Sequence, residues 1–220
     1  MSDRRTYGDP CGIARALDVV GERWAVLVVR ELVLGPKRFT DLRKALPGSS
    51  PDVLTERLRD LEQAGVVVRR TLPPPAGSRV YELTEWGREL EPVVVALGRW
   101  GSRAPFPSGA GPLGIDAFVL ALKTLFDPTA AGGFKASCEL RLGEHRFLAR
   151  VSGRRLEIKR GGGEHPDAVI ETDTSSLSAV LWHRRHLGEA LRAGDIEIEG
   201  SRTAVERFLQ LFPAPKPAAA

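Results

Sequence analysis

The stretch from Arg38 to Tyr81 constrains the fold of this 220-residue chain more than any other part of it. It predicts, in order, a short helix, a tight turn, a second helix, a glycine stop and a two-stranded hairpin that carries arginines. This order sets a solvent-facing helix beside a basic β-ribbon. A DNA groove is one of the few molecular surfaces that suit both elements at once.

The second helix of this stretch has clear boundary signals. Ser50 is a good N-cap, and Pro51 fits the first helical position, where its missing N–H costs nothing. The helix is expected to run to Ala64, because Gly65 can adopt the left-handed conformation that ends a helix. Its inward face is predicted from three leucines at helical spacing, Leu54, Leu58 and Leu61.

The opposite face of the second helix is polar and is predicted to approach DNA with its N-terminal end. The predicted DNA-contacting residues are Lys37, Arg38, Thr40, Ser50, Asp52, Thr55, Glu56, Arg59 and Arg79. Arg79 lies near the hairpin tip, where it could enter a narrow minor groove. Asp52 and Glu56 either accept hydrogen bonds from cytosine amino groups or repel phosphates. The alternative for each residue of the set is an ordinary solvated side chain.

Local patterns also predict the flanking elements of this half. Helices are expected over Ile13–Val20, Trp24–Leu34 and Phe39–Leu46. Thr84 is expected to cap a final helix that extends to about Trp100 and bends at Pro92.

A proline- and glycine-rich segment, Ser102–Gly114, predicts a linker between two domains. We therefore expect a winged helix-turn-helix domain at 1–103, a linker at 104–114, a second domain at 115–212 and a disordered tail at 213–220. The spacing of apolar residues changes after the linker, where helices and strand-like runs alternate. This half is predicted to be α+β with a mainly antiparallel sheet.

Composition narrows the class of protein. A hydrophobic content of 42% and a charged content of 27% are typical of globular proteins. The net charge of +4 is compatible with a polyanionic partner. The N-terminus lacks the apolar core of a signal peptide, and the longest apolar runs are too short to span a membrane. These features predict a soluble protein of a reducing cytoplasm with no membrane partner.

Enzymatic and metal sites are not predicted. Two cysteines cannot build a disulfide framework, and no metal-type spacing of cysteines is present. His183 and His186 are three residues apart but have no evident third ligand. Because the carboxylates are scattered, no general acid–base pair, catalytic residue or cofactor is predicted.

Three segments of the first half carry a family resemblance. They are CGIARALDVVGERWAVLVVRELVLGPKRFTDLRKAL, LTERLRDLEQAGVVVRR and YELTEWGRELEPVVVALGRWG. Together, from Cys11 to Gly101, they resemble the HxlR-type winged-helix transcription regulators. The resemblance implies a homodimer, held by the first and last helices of this half, that binds double-stranded operator DNA with two-fold symmetry.

The resemblance also gives Cys11 two interpretations. It occupies the place of a cysteine that can act as a thiol sensor of electrophiles or oxidants within the family. However, Pro10 precedes Cys11 and Gly12 follows it, whereas many members have Cys-Pro. The other interpretation is a small apolar residue packed beneath the dimer helices.

The second half carries a further resemblance over about Ile115 to Phe212. The segment DAVIETDTSSLSAVLWHRRHLGEALRAGDIEIEGSRTAVERFLQLF resembles the sterol carrier protein-like fold, in which the GDIEIEG strand precedes the closing helix. This resemblance implies a pocket for an apolar or amphipathic small molecule and no enzyme. The predicted lining is Phe118, Leu122, Phe126, Phe147, Leu181, Trp182, Leu191 and Phe208. The alternative is a plain packed core.

Taken together, the sequence predicts a DNA-binding transcription regulator whose second domain senses an apolar small-molecule effector. The alternative is a lipid or metabolite carrier whose winged domain serves only for dimerisation.

Overall fold

The computed structural model describes residues 6–75, 77–105, 111 and 113–218. The chain forms two compact units, Met1–Val94 and Val95–Ala220. The predicted linker falls partly on 106–110 and 112, and the predicted tail partly on 219–220, which lie outside the described residues. Over the described ranges, no helix combines the length and apolarity that membrane crossing requires.

The first unit is helical with one hairpin. Its elements are α1 (Gly12–Val20), α2 (Ala25–Leu32), α3 (Phe39–Ala45), α4 (Pro51–Gln63), β1 (Val67–Thr71), β2 (Arg79–Leu83) and α5 (Glu85–Arg88), followed by α6 (Leu90–Gly101), which begins in this unit and ends in the second. The core includes Val28, Leu42 and the three leucines of α4, all at most 1% exposed. The structure confirms the predicted winged helix-turn-helix order.

The turn between α3 and α4 is fixed by a local helix cap and by a contact with Trp24, which is distant in sequence. The Ser50 hydroxyl oxygen accepts the Val53 N–H at 3.3 Å, and Pro51 occupies the first turn of α4, as predicted. The Trp24 ring lies against Gly48, where an added Cβ would come within 2.8 Å of the indole. Gly65 then ends α4 with φ of +76°, a conformation that glycine adopts without steric cost.

The wing is an antiparallel pair with one extra partner. β1 and β2 are antiparallel: Val67 pairs with Leu83 at one end of the ladder, and Thr71 pairs with Arg79 at the end next to the turn. Lys37, just before α3, adds a bridge to this hairpin: its N–H donates to Tyr81 O at 3.0 Å, and the Tyr81 N–H donates to Lys37 O at 2.8 Å. The backbone before α3 is therefore tied to the wing.

The prediction of one bent helix from Thr84 to Trp100 is wrong. Thr84 does cap a helix, because its hydroxyl oxygen accepts the Gly87 N–H at 3.0 Å, but α5 ends at Arg88 and α6 starts at Leu90. Pro92 has no N–H to donate to the Arg88 carbonyl, and its ring would clash with that group. The proline therefore breaks the helix one turn earlier than its own position.

The second unit is α+β. Its elements are α7 (Ile115–Leu125), α8 (Pro128–Ala131), β3 (Lys135–Leu142), β4 (His145–Ser152), β5 (Arg155–Arg160), β6 (Ala168–Thr172), α9 (Thr174–Trp182), α10 (Leu187–Ala193), β7 (Ile196–Gly200) and α11 (Arg202–Leu209). The described strands form a sheet in the order β5-β4-β3-β6-β7. Only the β3–β6 pair is parallel, which confirms the mainly antiparallel prediction. The short α8 was not predicted.

The sheet has one apolar and one polar face. Every second residue along the strands, such as Cys138, Leu140 and Phe147, is fully buried on the face against which α11 and α7 pack. The intervening residues, such as Arg141 and Glu171, form a charged opposite face. This alternation places the core of the second unit between the sheet and its helices.

Candidate nucleic-acid interface

The exposed face of α4 carries the residues that were predicted to meet DNA. Asp52, Thr55, Glu56 and Arg59 are exposed, while the leucines of the opposite face are buried. With thirteen residues the helix is about 20 Å long, which suits a major groove. Among the described residues, Arg59 has no ion-pair partner, so its guanidinium is available to a base edge or a phosphate.

A second arginine of α4, Arg57, has a structural role that the sequence did not reveal. Its side chain is 12% exposed, and its guanidinium lies 2.9 Å from Asp60, 3.1 Å from Glu56 and 3.9 Å from Glu22. Arg57 thus pairs with two carboxylates of α4 and makes a longer contact with the segment that joins α1 to α2. It also partly neutralises Glu56, one of the two acidic residues on the exposed face.

Lys37, one of the predicted DNA-contacting residues, forms an ion pair with a buried carboxylate. Its Nζ lies 2.5 Å from Oε2 of Glu31, a carboxylate that is only 2% exposed. Arg30 approaches the other oxygen of the same carboxylate at 2.7 Å. Lys37 is therefore held in an internal ion pair, whereas the predicted contacts Arg38 and Thr40 are exposed at the start of α3.

The wing arginines differ in their partners. Arg69 donates to the Tyr81 hydroxyl at 2.9 Å and lies over its ring at 5.1 Å, and Arg70 pairs with Glu82 at 3.0 Å. Arg69 also lies 3.8 Å from the Glu62 carboxylate of α4. Arg79 is the first residue of β2 after the turn, where it pairs with Thr71. It is exposed and has no ion-pair partner among the described residues. Of these three arginines, Arg79 is thus the one without a carboxylate partner among the described residues.

A separate apolar surface lies on α1, α5 and the start of α6. Ile13 is 73% exposed, Trp86 52% and Val93 58%. A cleft of about 480 Å³ next to Ile13 in sequence is lined by residues of α1, α5 and α6 that include Ala16, Val19, Trp86 and Val93. Large apolar side chains grouped in this way are typical of protein interaction surfaces.

The two cysteines have opposite environments. Cys11 is exposed at the N-terminal end of α1, and its N–H donates to Asp9 Oδ1 at 2.8 Å. Cys138 is buried under the helices of the second unit. Burial, reinforced by the nearby Asp167 carboxylate, raises the pKa of the Cys138 thiol to about 12. Cys138 is therefore a packing residue at neutral pH.

The predicted pocket residues of the second unit fall into a buried and a half-buried set. Phe118, Leu122, Phe147 and Phe208 are at most 1% exposed. Side chains that walled a water-sized cavity would expose surface to it, so these four are packed core in this structure. The half-buried set is Phe126, Leu181, Trp182 and Leu191.

Aromatic contacts link the two sets. The Phe118 and Trp182 rings are 5.6 Å apart, and Phe126 and Phe208 both contact the Phe212 ring, at 6.2 and 4.9 Å. The Trp182 indole N–H is buried and has no hydrogen-bond partner among the described residues. An unsatisfied buried donor is destabilising, so this N–H is a position where a bound acceptor would be stabilised.

The polar face of the sheet holds a buried carboxylate, Glu139, which is 4% exposed. It accepts from Arg141 Nε at 3.0 Å and from the Gly163 N–H at 3.1 Å. Burial alone would raise the pKa of Glu139, but these hydrogen bonds and the charges of Arg141 and Arg146 lower it below its ordinary value. Glu139 thereby anchors the glycine-rich crossover, Gly161–Gly163, onto the sheet.

The described residues contain no cluster of three histidine, cysteine or carboxylate side chains that could hold a metal ion. His183 and His186 are both exposed, at the two ends of the segment between α9 and α10.

Comparison with known proteins gives matches in the first half of the chain. Residues 19–106 match the family model described as HxlR-like helix-turn-helix. The uncharacterized HTH-type transcriptional regulator sll1512 of Synechocystis is 41% identical over 95 residues, which cover 43% of this chain and 70% of that protein. The uncharacterized HTH-type transcriptional regulator YvaP of Bacillus subtilis is 37% identical over 94 residues, which cover 43% of this chain and 87% of that protein.

Among solved structures, the redox regulator HypR in its oxidized form is 34% identical, with a TM-score of 0.41, over 44% of this chain and 100% of that one. The sequence relatives, together with the helix-turn-helix and wing described above, show that this chain belongs to the HxlR-like helix-turn-helix family of DNA-binding transcription regulators.

Proposed function

We propose that the protein is a homodimeric regulator that reads an operator with α4 and the wing, and whose second unit binds an apolar small molecule that changes DNA affinity. The observation that supports the DNA-reading part is the presence of two exposed arginines without an ion-pair partner among the described residues, Arg59 on α4 and Arg79 on the wing. A helix in the major groove and an arginine at the neighbouring minor groove would read adjacent parts of one half-site.

A mobility-shift titration over a salt series tests this part. The probe is the DNA upstream of the protein's own gene, and the competitor is a scrambled duplex of the same length. We expect a shift that persists at moderate salt, because base contacts survive when counterion release no longer favours non-specific binding. If the two duplexes shift equally at every salt concentration, sequence-specific regulation is excluded and the carrier alternative is favoured.

The apolar surface on α1, α5 and α6 supports the homodimer. We predict that Ile13→Asp raises the dimer dissociation constant at least about 100-fold, because a two-fold interface would bury the new charge twice. Light scattering during size-exclusion chromatography measures the change. Val68→Asp, on the wing strand β1, is the control, since Val68 is also an exposed β-branched apolar residue, at 38%. An unchanged dimer in Ile13→Asp would exclude this surface.

The unsatisfied Trp182 N–H supports a ligand site in the second unit. The fold features implied by the sterol carrier protein-like resemblance are compatible with it, since β7 precedes α11 and helices cover the apolar face of the sheet. Because Phe118 is fully buried beside Trp182, the ligand would enter by displacing packed side chains at this end of the core.

We predict that Trp182→Phe weakens binding of the neutral fluorescent probe Nile red about tenfold while leaving the unliganded protein nearly as stable. Phenylalanine keeps the ring against Phe118 but removes the donor that lacks a partner. The measurements are probe fluorescence titration and thermal unfolding. Trp100→Phe is the control, since Trp100 is 75% exposed. Equal probe affinity in Trp182→Phe and the wild type would rule out this site.

A further inference from the structure

The second unit contains a cleft of about 670 Å³ that is lined by four arginines, Arg99, Arg150, Arg154 and Arg155. One carboxylate, Glu157, belongs to the described lining, so the lining carries a net charge of +3. The remaining lining includes Phe126, Leu156 and Pro128, which are apolar. The cleft thus combines concentrated positive charge with an apolar wall.

The one carboxylate does not neutralise the arginines. Glu157 Oε1 lies 2.7 Å from Lys159 Nζ, so its charge is already offset by a lysine outside the cleft. The hydrogen bond from Lys159 and the fields of Lys159, Arg150 and Lys123 lower the pKa of Glu157 below its ordinary value. The positive potential at this end of the β4–β5 hairpin therefore exceeds what its single acid can balance.

Two of the arginines are held in place by bonds that leave donors free for a ligand. Arg99 Nε donates to Thr124 O at 3.1 Å. Arg154 donates to Pro128 O at 3.3 Å and to the Thr129 hydroxyl at 3.4 Å. Each guanidinium has five N–H donors, so both groups retain donors beyond these contacts. Anchored guanidinium groups lose little freedom when they bind an anion, and their planar fork matches carboxylate and phosphate oxygens.

The apolar wall restricts the class of anion. Phe126 and Leu156 are half-buried, and the Phe126 ring also contacts Phe212 of the core at 6.2 Å. A fully hydrated anion, such as inorganic phosphate, would gain nothing from this wall, whereas an alkyl or aryl group attached to the anion would bury apolar surface there.

We propose that this cleft is a binding site for a small amphipathic anion, a carboxylate or phosphate carried on an apolar chain. The anionic head lies among the arginines, and the chain lies on Phe126 and Leu156. The described lining of the cleft includes neither Trp182 nor Phe118, so its existence does not depend on whether the core of the unit opens to a neutral ligand beside Trp182.

Calorimetric titration of the full chain with octyl phosphate, octanoate, inorganic phosphate and octanol tests the proposal. We expect both octyl anions to bind at least about tenfold more tightly than inorganic phosphate or octanol, because only they use both the arginines and the apolar wall. Their affinity should fall as salt rises. If inorganic phosphate or octanol binds as tightly as octyl phosphate, the amphipathic site is refuted.

The variant Arg150→Gln/Arg155→Gln removes two cleft charges without touching the anchored arginines. We expect about tenfold weaker binding of octyl phosphate. The control is Lys135→Gln/Arg192→Gln, which removes the same charge from exposed positions of the same unit and should bind normally. Nile red binding should not change in either variant, which separates this site from the Trp182 region.

Other partners of a basic cleft would give other results. If the cleft variant binds octyl phosphate normally but loses affinity for non-operator DNA, the arginines serve as phosphate contacts to nucleic acid and the proposal fails. If the wild type ignores octyl phosphate but sediments with phosphatidylglycerol vesicles, and the cleft variant does not, a membrane surface is the ligand and the proposal also fails.

Discussion

Replacing Glu31 by alanine is expected to lower the free energy of unfolding of the first unit by about 3 kcal/mol, because it removes the one carboxylate shared by two cations in a buried place. Lys37 and Arg30, whose side chains are 15% and 25% exposed, would both lose the ion pair with this carboxylate. Hydrogen exchange of the α2–α4 amides under increasing urea measures the loss for this unit separately, since a two-unit chain need not unfold in one step.

The same substitution should impair DNA binding beyond its effect on stability. Lys37 pairs through its backbone with Tyr81, so loss of its side-chain anchor would loosen the position of the wing relative to α3. Glu31→Gln keeps an acceptor and should have an intermediate effect, while Glu85→Ala, at an exposed position, should change stability by less than about 0.5 kcal/mol. A loss below about 1 kcal/mol in Glu31→Ala would mean that both cations find water once the carboxylate is gone.

Alanine substitution of Arg59 and of Arg79 is expected to weaken operator binding in two distinguishable ways. Arg59→Ala should reduce operator affinity by about 10- to 100-fold and relax sequence preference at one base pair of each half-site, as the loss of a bidentate base contact does. Arg79→Ala should reduce affinity most for sites with a narrow A·T-rich minor groove at the wing. Fluorescence anisotropy with a set of single-base operator variants measures both effects.

Arg69→Ala is the matched control for Arg79, because Arg69 is on the same hairpin but is already engaged by Tyr81. We expect it to alter affinity less than either of the other substitutions. The contrary outcome is that Arg59→Ala weakens binding to all sequences equally and reduces the slope of log affinity against log salt by about one. In that case Arg59 contacts a phosphate and the base-reading assignment is wrong.

Sequence reasoning predicted the elements whose signals are local. The leucine spacing and the Ser50–Pro51 start gave the bounds of α4 to within one residue, and the change of period after the linker predicted a mainly antiparallel second half. These features depend on side-chain periodicity and on caps, which a single sequence displays directly.

The contacts that position the site were not predictable in the same way. In the sequence, Glu31 resembles any solvent-exposed charged residue of an amphipathic helix. No local signal indicates that it is buried or that it forms an ion pair with Lys37. The Lys37–Tyr81 bridge and the close approach of Trp24 to Gly48 join residues far apart in sequence. The packing of Phe118 and Phe208 likewise depends on how the helices settle on the sheet, which periodicity does not specify.

Because one thiol is exposed and the other is buried, this chain can be labelled at a single cysteine. A maleimide probe meets Cys11 in solvent, whereas the Cys138 sulfur is fully buried and stays protonated. A spin label or fluorophore would therefore attach once per chain without any engineered cysteine, at the start of α1. In a symmetric assembly the two labels would form a pair, and their separation would report directly on how the protomers are arranged with and without DNA.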